Sequence, residues 1–189
     1  NIAKLWWNEM TLNHDNIVGL DSAVILHPKV WQSSGHLKNF TDPMVDCKIC
    51  NARFKADDID LESERTICPR CGNKDSFTDV RQFNMMFKTN IGPLEDEGSE
   101  GYFRPETAQG IYLDWKLVQE TARLKLPFGI AQIGKAFRNE ITPGNFMFRT
   151  REVEQMEMQF FVNPGESSSW MDYWRERREG WIHSLGISK

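Results

Sequence analysis

Arginines and carboxylates cluster in residues 128–162, which we interpret as two extended runs joined by a turn at residues 142–145, TPGN. Side chains alternate across a strand, so every second residue of each run shares a face. If the runs pair antiparallel, those faces form one concave surface, made of Gln132, Gly134, Ala136, Arg138 and Glu140 with Arg149, Arg151, Val153, Gln155 and Glu157. Buried faces rarely carry so much charge, which predicts a charged ligand. The alternative is a solvated outer face with cross-strand ion pairs.

The four cysteines of the chain form two Cys-x-x-Cys pairs, Cys47 with Cys50 and Cys68 with Cys71, separated by 17 residues. This spacing is typical of four thiolates around one Zn²⁺. Two disulfides are the alternative, but the absence of a secretion signal favours reduced cysteines and a metal. Four cysteine ligands leave no open position for a substrate, so we predict a structural zinc.

Three further residues are candidates for chemistry. Glu106 follows Pro105, where we predict that a helix begins and runs to about Lys125. The helix dipole favours a carboxylate in the first turn, so a structural explanation of Glu106 stands beside a functional one. His27 and His36 could bind a metal or act in catalysis, but a lone histidine is more often structural.

The elements that position these residues belong to an ordinary globular composition, with 40% hydrophobic and 26% charged residues. Periodic apolar residues predict helices over residues 1–10 and from the serines after Gly165 to Leu185. A net charge of −4 excludes a chain that is basic overall and cradles nucleic acid. No apolar run of membrane-spanning length and no signal peptide is present, and a first residue of Asn suggests part of a longer chain.

Several long words of the sequence resemble class II aminoacyl-tRNA synthetases. FRNE at 137–140 and FRTRE at 148–152 look like motif 2 of that class. Together with them, GIAQIGKAFRNE at 129–140, EQME at 154–157 and RPETAQG at 104–110 resemble the glycyl-tRNA synthetase family of the dimeric bacterial and eukaryotic type. The resemblance covers nearly the whole chain, and the length and order of these words make it specific.

The resemblance implies an α+β fold, in which an antiparallel class II synthetase sheet is flanked by helices. Residues 1–189 would be a partial class II catalytic domain, with a small zinc-binding insertion at residues 45–80. Residues 18–28 by themselves indicate a packing element, but they are similar to motif 1, which builds the dimer interface of the class. Motif 3 and the anticodon-binding domain are absent from these residues.

The implied function is that of a glycine–tRNA ligase. The enzyme activates glycine with ATP to glycyl-adenylate and transfers it to the 3′ end of tRNA(Gly). Mg²⁺ would accompany ATP, the full-length enzyme would be a cytoplasmic homodimer without membrane attachment, and the present residues alone would be incomplete.

The resemblance also implies roles for individual residues. Arg138 is the implied catalytic residue, whose planar guanidinium suits the α-phosphate oxygens. The implied ATP-binding residues are Arg138, Asn139, Glu140, Phe148, Arg149, Thr150, Arg151, Glu152 and Val153. The implied glycine-binding residues are Glu106, Val153, Glu154, Gln155, Met156 and Glu157, with Glu106 and Glu157 on the ammonium group. Val153 stands where family members commonly carry an aromatic residue that stacks on adenine, which weakens the stacking argument.

Two other functions compete with this hypothesis. One is a non-catalytic, synthetase-like accessory subunit that binds nucleic acid. The presence together of Arg138, Glu140, Glu106 and Glu157 argues against it, because a non-catalytic relative does not need the full set. The other is a zinc-ribbon nucleic-acid binder, which leaves the motif 2 words unexplained.

Overall fold

The structure, a computed structural model, describes residues 1–63, 65–93 and 96–188. In these residues helices combine with three small sheets of three strands each. The elements in chain order are α1 (Ile2–Thr11), β1 (Ile17–Gly19), β2 (Ile25–Leu26), α2 (Pro28–Ser33), α3 (His36–Asn39), β3 (Thr41–Asp46), β4 (Arg53–Lys55), β5 (Arg81–Asn84), β6 (Lys88–Asn90), β7 (Glu100–Phe103), α4 (Ala108–Ala122), β8 (Phe128–Phe137), β9 (Glu152–Phe161) and α5 (Ser167–Ser184). Short 3₁₀ helices lie at Ala56–Asp58 and Glu97–Ser99.

The sheet with the longest strands has the order β1-β8-β9. β8 and β9 pair antiparallel from Phe128 opposite Phe161 to Phe137 opposite Glu152, as predicted for the two charged runs. β1 runs parallel to β8, so the sheet is mixed rather than purely antiparallel. Parallel pairing needs a long crossover connection, and the many residues between β1 and β8 provide one.

Helices cover both faces of this sheet. The predicted first and last helices are confirmed as α1 and α5, whose Trp6, Met10 and Trp174 pack on one face. On the other face, Ile111 of α4 packs against Phe128 and Ile130 of β8. α4 thus covers only the apolar half of that face, and the half nearer the end of β8 is left for polar side chains.

α4 begins later than the sequence predicts. Its first residue is Ala108, and it ends where Arg123 adopts a left-handed conformation. The Thr107 N–H donates to the side chain of Gln155, 3.0 Å away, so the chain is still bending onto β9 at this point. Glu106 therefore lies in the bend before the helix and not in its first turn.

A separate small sheet of order β4-β3-β5 carries the first cysteine pair at its end. It has its own buried cluster of Val45, Ala56 and Ile59, with Phe54 and Phe77 packed against it. The remaining sheet has the order β2-β7-β6 and packs with α2. In the sequence, β2 precedes the strands of the cysteine-bearing sheet, and β6 and β7 follow them. None of the helices in the described part of the chain has the length and apolarity that a membrane crossing requires.

Candidate active site on the β8–β9 face

The register of β8 and β9 places the predicted polar residues on one face. Gln132 lies opposite Glu157, Gly134 opposite Gln155, and Ala136 opposite Val153. Cross-strand partners point to the same side of a sheet, so the predicted alternation is confirmed over this part of both strands. The face becomes polar beyond the N-terminus of α4, where the helix no longer packs on the sheet.

Thr107 ties the bend before α4 to this polar half. Its side chain is fully buried, and its hydroxyl lies 2.5 Å from Oε2 of Glu157. The other oxygen of Glu157 accepts from Nε2 of Gln159 at 2.7 Å, and Oε1 of Gln159 accepts from the hydroxyl of Tyr112 at 2.8 Å. Both oxygens of Glu157 therefore have hydrogen-bond donors, which fix the orientation of its carboxyl group.

Glu106 and Glu157 are brought into one region although they are far apart in the sequence, because Thr107, which follows Glu106, donates to Glu157. Burial raises the pKa of the Tyr112 hydroxyl, and the negative charges of Glu157 and Glu106 raise it further. Two carboxylates that share a site attract a cation, because each raises the cost of the other's charge.

Glu106 is held by two side chains at one of its oxygens. Oε1 accepts from Nε2 of Gln109 at 3.2 Å and lies 3.3 Å from Nε2 of His36. The Glu106 side chain is 32% exposed, so part of it still faces open space. The predicted candidate His36 is thus in contact with the site, whereas His27 caps the start of α2 by accepting from the Lys29 N–H.

Arg104 is a buried structural residue that the sequence analysis missed. It is 1% exposed, and its guanidinium donates to the carbonyl oxygens of Lys135 at 2.7 Å and Ser22 at 2.9 Å. Burial lowers the pKa of this guanidinium, while Asp21 opposes the shift. Arg104 thus joins β8 to the segment before β2 through hydrogen bonds. Its place in the word RPETAQG was the one sequence signal that could have indicated a special role for it.

Close packing at two glycines narrows the polar half of the face. A Cβ on Gly134 would clash with the guanidinium of Arg104, and one on Gly110 would clash with the hydroxyl of Ser22. Gln132 is fully buried beside them and accepts from the Ser22 hydroxyl at 3.0 Å. Its Nε2 has no hydrogen-bond partner among the described residues. The polar half of the face is therefore closely packed, and the buried Nε2 group of Gln132 is a donor that remains unused among the described residues.

Arg138 lies where the polar half of the face ends. Its Nε donates to the carbonyl oxygen of Pro105 at 3.0 Å, and its guanidinium carbon lies 5.8 Å from the centre of the Phe40 ring. Pro105 directly precedes Glu106, so the guanidinium of Arg138 is bonded to the backbone next to Glu106. An anionic group and an ammonium group of one small ligand could therefore bind side by side.

Residues 138–151 form an irregular hairpin and not the two continuous strands that the sequence predicts. Its backbone is joined at both ends, where the Arg138 N–H donates to the carbonyl of Arg151 and a bridge links Gly144 with Arg149. Asn145 and Phe146 have positive φ angles, so the turn lies at residues 145–148 and not at 142–145. Pro143 therefore lies before the turn, on the first arm of the hairpin.

The other predicted ATP-binding residues mostly make local contacts in this hairpin. Arg151 donates from Nε and Nη2 to the carbonyl of Glu140, and Thr150 donates to the carbonyl of Glu152. The Asn139 N–H donates to the carbonyl of Met85. Phe148 is 81% exposed. Arg149 and Arg151 precede β9, so they do not continue its face in the regular way that the sequence predicts.

Two of the predicted glycine-binding residues are not brought to the site. Glu154 lies opposite Lys135 and Met156 opposite Ile133, on the face that α1 and α5 cover. Met156 lines a cavity of about 470 Å³ between β9 and those helices. The alternation of a strand separates these residues from Gln155 and Glu157, whatever words of sequence they share.

Two of the residues that the sequence analysis missed lie close in the sequence to residues that it predicted. Thr107 lies next to the predicted Glu106, and Gln159 lies two positions after the predicted Glu157 on the same face. Extending the alternation by one more step would have found Gln159. Tyr112 had no such signal, because its contact with Gln159 depends on how α4 packs on β9.

The four cysteines come together, as predicted. All four Sγ atoms lie within 4.8 Å of one another, with Cys47 3.7 Å from Cys71 and Cys50 3.8 Å from Cys68. All four are free thiols, which argues against the two disulfides. Four thiolates at this mutual distance fit a tetrahedral metal such as Zn²⁺.

The two cysteine turns have the same backbone pattern. Asn51 and Gly72, which follow the second cysteine of each pair, both have positive φ, and their N–H groups donate to the carbonyls of Cys47 and Cys68. A hydrogen bond from Ser76 lowers the pKa of the Cys47 thiol to about 6. The amide of Asn73 lowers the pKa of Cys71. The thiolate is the form that binds metal, and it is favoured at Cys47 and Cys71, whereas burial and the neighbouring thiols raise the pKa of Cys50 to about 11.

The fold of this chain resembles that of a solved domain of a tRNA synthetase. The chain superposes on the crystal structure of the RNA binding domain of threonyl-tRNA synthetase from Cryptosporidium parvum with a TM-score of 0.61. The match covers 99% of this chain and 34% of that chain at 16% sequence identity. At this identity the likeness concerns the fold alone.

The sequence relatives are named more narrowly. The chain is 56% identical over 188 residues to the glycine–tRNA ligase of Treponema denticola and 51% identical over 213 residues to that of Geobacillus thermodenitrificans. It is 51% identical over 199 residues to the glycine–tRNA ligase of Streptomyces coelicolor. These matches span 99–100% of this chain but only 41–46% of the relatives, so the chain spans less than half their length. No protein-family model matches the chain.

Proposed function

We propose that this chain is a partial catalytic domain of a glycine–tRNA ligase, with motif 1 and motif 2 of class II. The observation that carries the proposal is 51–56% identity to proteins of that name over nearly every residue of the chain. The polar β8–β9 face supports it, because a carboxylate pair and an arginine meet there as an amino acid and a phosphate require.

At the glycine end, Glu106 and Glu157 bind the ammonium group of the substrate. Their shared influence on Tyr112 supports this role, as does the fixed orientation of Glu157 between Thr107 and Gln159. Gln155 and Val153 complete this end, and Glu154 and Met156 are left out because they lie on the other face. A crowded floor at Gly110 and Gly134 suits a substrate without a side chain.

At the nucleotide end, Arg138 binds the α-phosphate of ATP and stabilises the charge that develops there. Its position beside Pro105 sets it next to Glu106, so the glycine carboxylate and the α-phosphorus lie close together. Glu140 accepts from the adenine amino group, and Asn139 and the residues from Phe148 to Glu152 form the surrounding surface. Mg²⁺, when bound with ATP, neutralises phosphate charge.

The reaction needs no protein nucleophile. The glycine carboxylate oxygen attacks the α-phosphorus and pyrophosphate leaves. The 3′-terminal hydroxyl of tRNA(Gly) then attacks the carbonyl carbon, and AMP leaves. The residues of the site contribute by holding the reactants in line and by stabilising charge, which are the main sources of catalysis in phosphoryl transfer.

The cysteine cluster binds a structural Zn²⁺ in an insertion at residues 45–80. Four thiolates close the coordination sphere, so the metal supplies stability and no substrate site. As in its class, the whole protein would act in the cytoplasm as a homodimer through motif 1, and further parts of the enzyme would come from sequence outside these residues.

The test is ATP–pyrophosphate exchange with the full-length protein, with glycine, alanine or serine as the amino acid. We expect exchange with glycine and at least about 100-fold less with the others, because a clash excludes a larger substrate more strongly than one missing methylene group. No exchange with glycine, together with tight nucleic-acid binding, would support the accessory-subunit alternative. No observation made of this chain favours that alternative.

A further inference from the structure

His36 lies directly beside Glu106, the protein carboxylate that we propose binds the ammonium group of glycine. Nε2 of His36 lies 3.3 Å from Oε1 of Glu106, and the histidine side chain is 14% exposed. The same oxygen accepts from Gln109, which lies on α4. His36 begins α3, an element distant in the sequence, so it braces Glu106 from outside the strands and helix of the site.

The hydrogen-bond partners of the two ring nitrogens of His36 determine which nitrogen carries the proton. Nδ1 of His36 lies 2.8 Å from the hydroxyl of Ser34. A carboxylate oxygen only accepts, so the contact with Glu106 requires a proton on Nε2. In the neutral tautomer with that proton, Nδ1 accepts from the Ser34 hydroxyl, which is closer to Nδ1 than to its other acceptor, the Trp31 carbonyl at 3.4 Å. The contact with Glu106 is then a donor facing an acceptor.

Aromatic rings and a turn hold the imidazole in this direction. The ring of Trp31, which is fully buried, meets it edge-on at 5.3 Å, and the ring of Phe40 lies 5.7 Å away. Gly35, with φ of +80°, makes the turn that brings His36 inward. Since Phe40 also lies under Arg138, one short segment touches both ends of the proposed site.

We infer that His36 is a positioning residue that aims Glu106 at the ammonium group of the amino-acid substrate. The inference deepens the proposed function and rests on it. The last torsion of a glutamate side chain is broad, so a carboxylate held on one side only by Gln109 would turn away from the substrate. A group held in advance binds its ligand without paying to become ordered.

Two substitutions separate this role from simple packing. His36→Gln keeps a donor near the place of Nε2, and His36→Asn keeps a polar group near the place of Nδ1 but has no donor that reaches Glu106. We expect His36→Asn to raise the KM for glycine by about 10-fold in ATP–pyrophosphate exchange with the full-length protein, the effect of losing one hydrogen bond to a charged group. His36→Gln should restore the KM to within about 3-fold of the unmodified value, with the KM for ATP unchanged in both variants.

His183 provides the matched control. It lies at the exposed end of α5, where Nδ1 contacts the carbonyl of Ile187. His183→Asn and His183→Gln should leave both KM values unchanged. If His36→Asn fails to fold, Ser34→Ala replaces it. Loss of the Nδ1 partner should then raise only the KM for glycine, and a rise in the KM for ATP instead would overturn the inference.

The failures of the two proposals look different. Equal effects of His36→Asn and His36→Gln, or no effect of either in a protein that exchanges glycine, would overturn the positioning role alone. An unmodified protein that shows no glycine-dependent exchange would overturn the ligase function and the positioning role together.

Discussion

The two ends of the proposed site are built differently. At the glycine end, Glu157 lies on a regular strand, and its two oxygens are held by Thr107 from the bend before α4 and by Gln159 from β9. At the nucleotide end, the guanidinium of Arg151 donates to the backbone carbonyl of Glu140 in its own hairpin, and Phe148 is 81% exposed. The first end is organised before a ligand arrives, whereas the second leaves its aromatic and arginine side chains available for a larger ligand.

The neighbours of the two ends also differ. The glycine end is supported by the largest sheet and by α4. The hairpin tip instead faces residues 45–80, which we call the cysteine-bearing region. A cavity of about 250 Å³ lies between them, lined by Asp58 of that region and by hairpin residues that include Asn145 and Arg149. We therefore expect changes in the sheet to affect mainly glycine use and changes in the cysteine-bearing region to affect mainly ATP use.

The largest effect should come from Arg138, where the two ends meet. Arg138→Ala removes the donor to the α-phosphate, and loss of one such transition-state donor typically lowers the rate by about 10²–10³-fold. The measurement is the glycine-dependent exchange rate of the full-length protein at saturating substrates. Arg175→Ala, on the exposed face of α5, is the matched control and should have no effect. An unchanged rate for Arg138→Ala would refute the motif 2 assignment.

The next effect isolates the glycine end. Glu157→Gln keeps the shape and removes one charge, and we expect a rise of about 10- to 100-fold in the KM for glycine with little change for ATP, from the loss of a charged hydrogen bond. Titrations of glycine and of ATP in the same exchange assay measure both values. Glu154→Gln, the neighbouring carboxylate on the opposite face, should change neither. Equal losses for glycine and ATP would show that the two ends are not separate.

The smallest effect concerns the nucleotide end through its neighbour. Cys71→Ser, or removal of zinc with a chelator, should loosen the cysteine-bearing region and raise the KM for ATP by roughly 3- to 10-fold, since loss of a supporting outer contact typically costs that order or more. The KM for glycine should stay within about 2-fold, because Glu106 and Glu157 are held by other elements. Elemental analysis should find one zinc per unmodified chain. A larger change for glycine than for ATP would contradict the division between the ends.

Much of this arrangement follows from local patterns in the sequence. The alternation of residues 132–136 and 153–157 predicted one polar face, and the register of β8 and β9 confirms it. The spacing of the cysteines predicted a cluster of thiols, which the structure shows. Both patterns depend on repeat lengths that the backbone itself imposes, so they survive whatever the rest of the fold does.

Other sequence predictions were wrong where tertiary contacts compete with local preference. Pro105 predicted a helix start, but the Thr107 N–H bonds to Gln155 and the helix begins at Ala108. The turn was predicted at residues 142–145 with positive φ at Gly144 and Asn145, but the positive φ angles fall on Asn145 and Phe146, so the turn lies further along the chain. Glu154 and Met156 entered the predicted glycine site because they belong to one word of sequence, and the pleat of β9 sends them to the other face.

By itself the sequence determined the paired cysteines, the two charged strands and the words shared with glycine–tRNA ligases, because each of these lies within a short segment of the chain. Only the tertiary structure decided that Thr107 bonds to Glu157, that Arg104 is buried, and that His36 contacts Glu106. Those contacts join residues from different elements. Their geometry depends on how α3, α4 and β9 pack together, which no local pattern of residue types encodes.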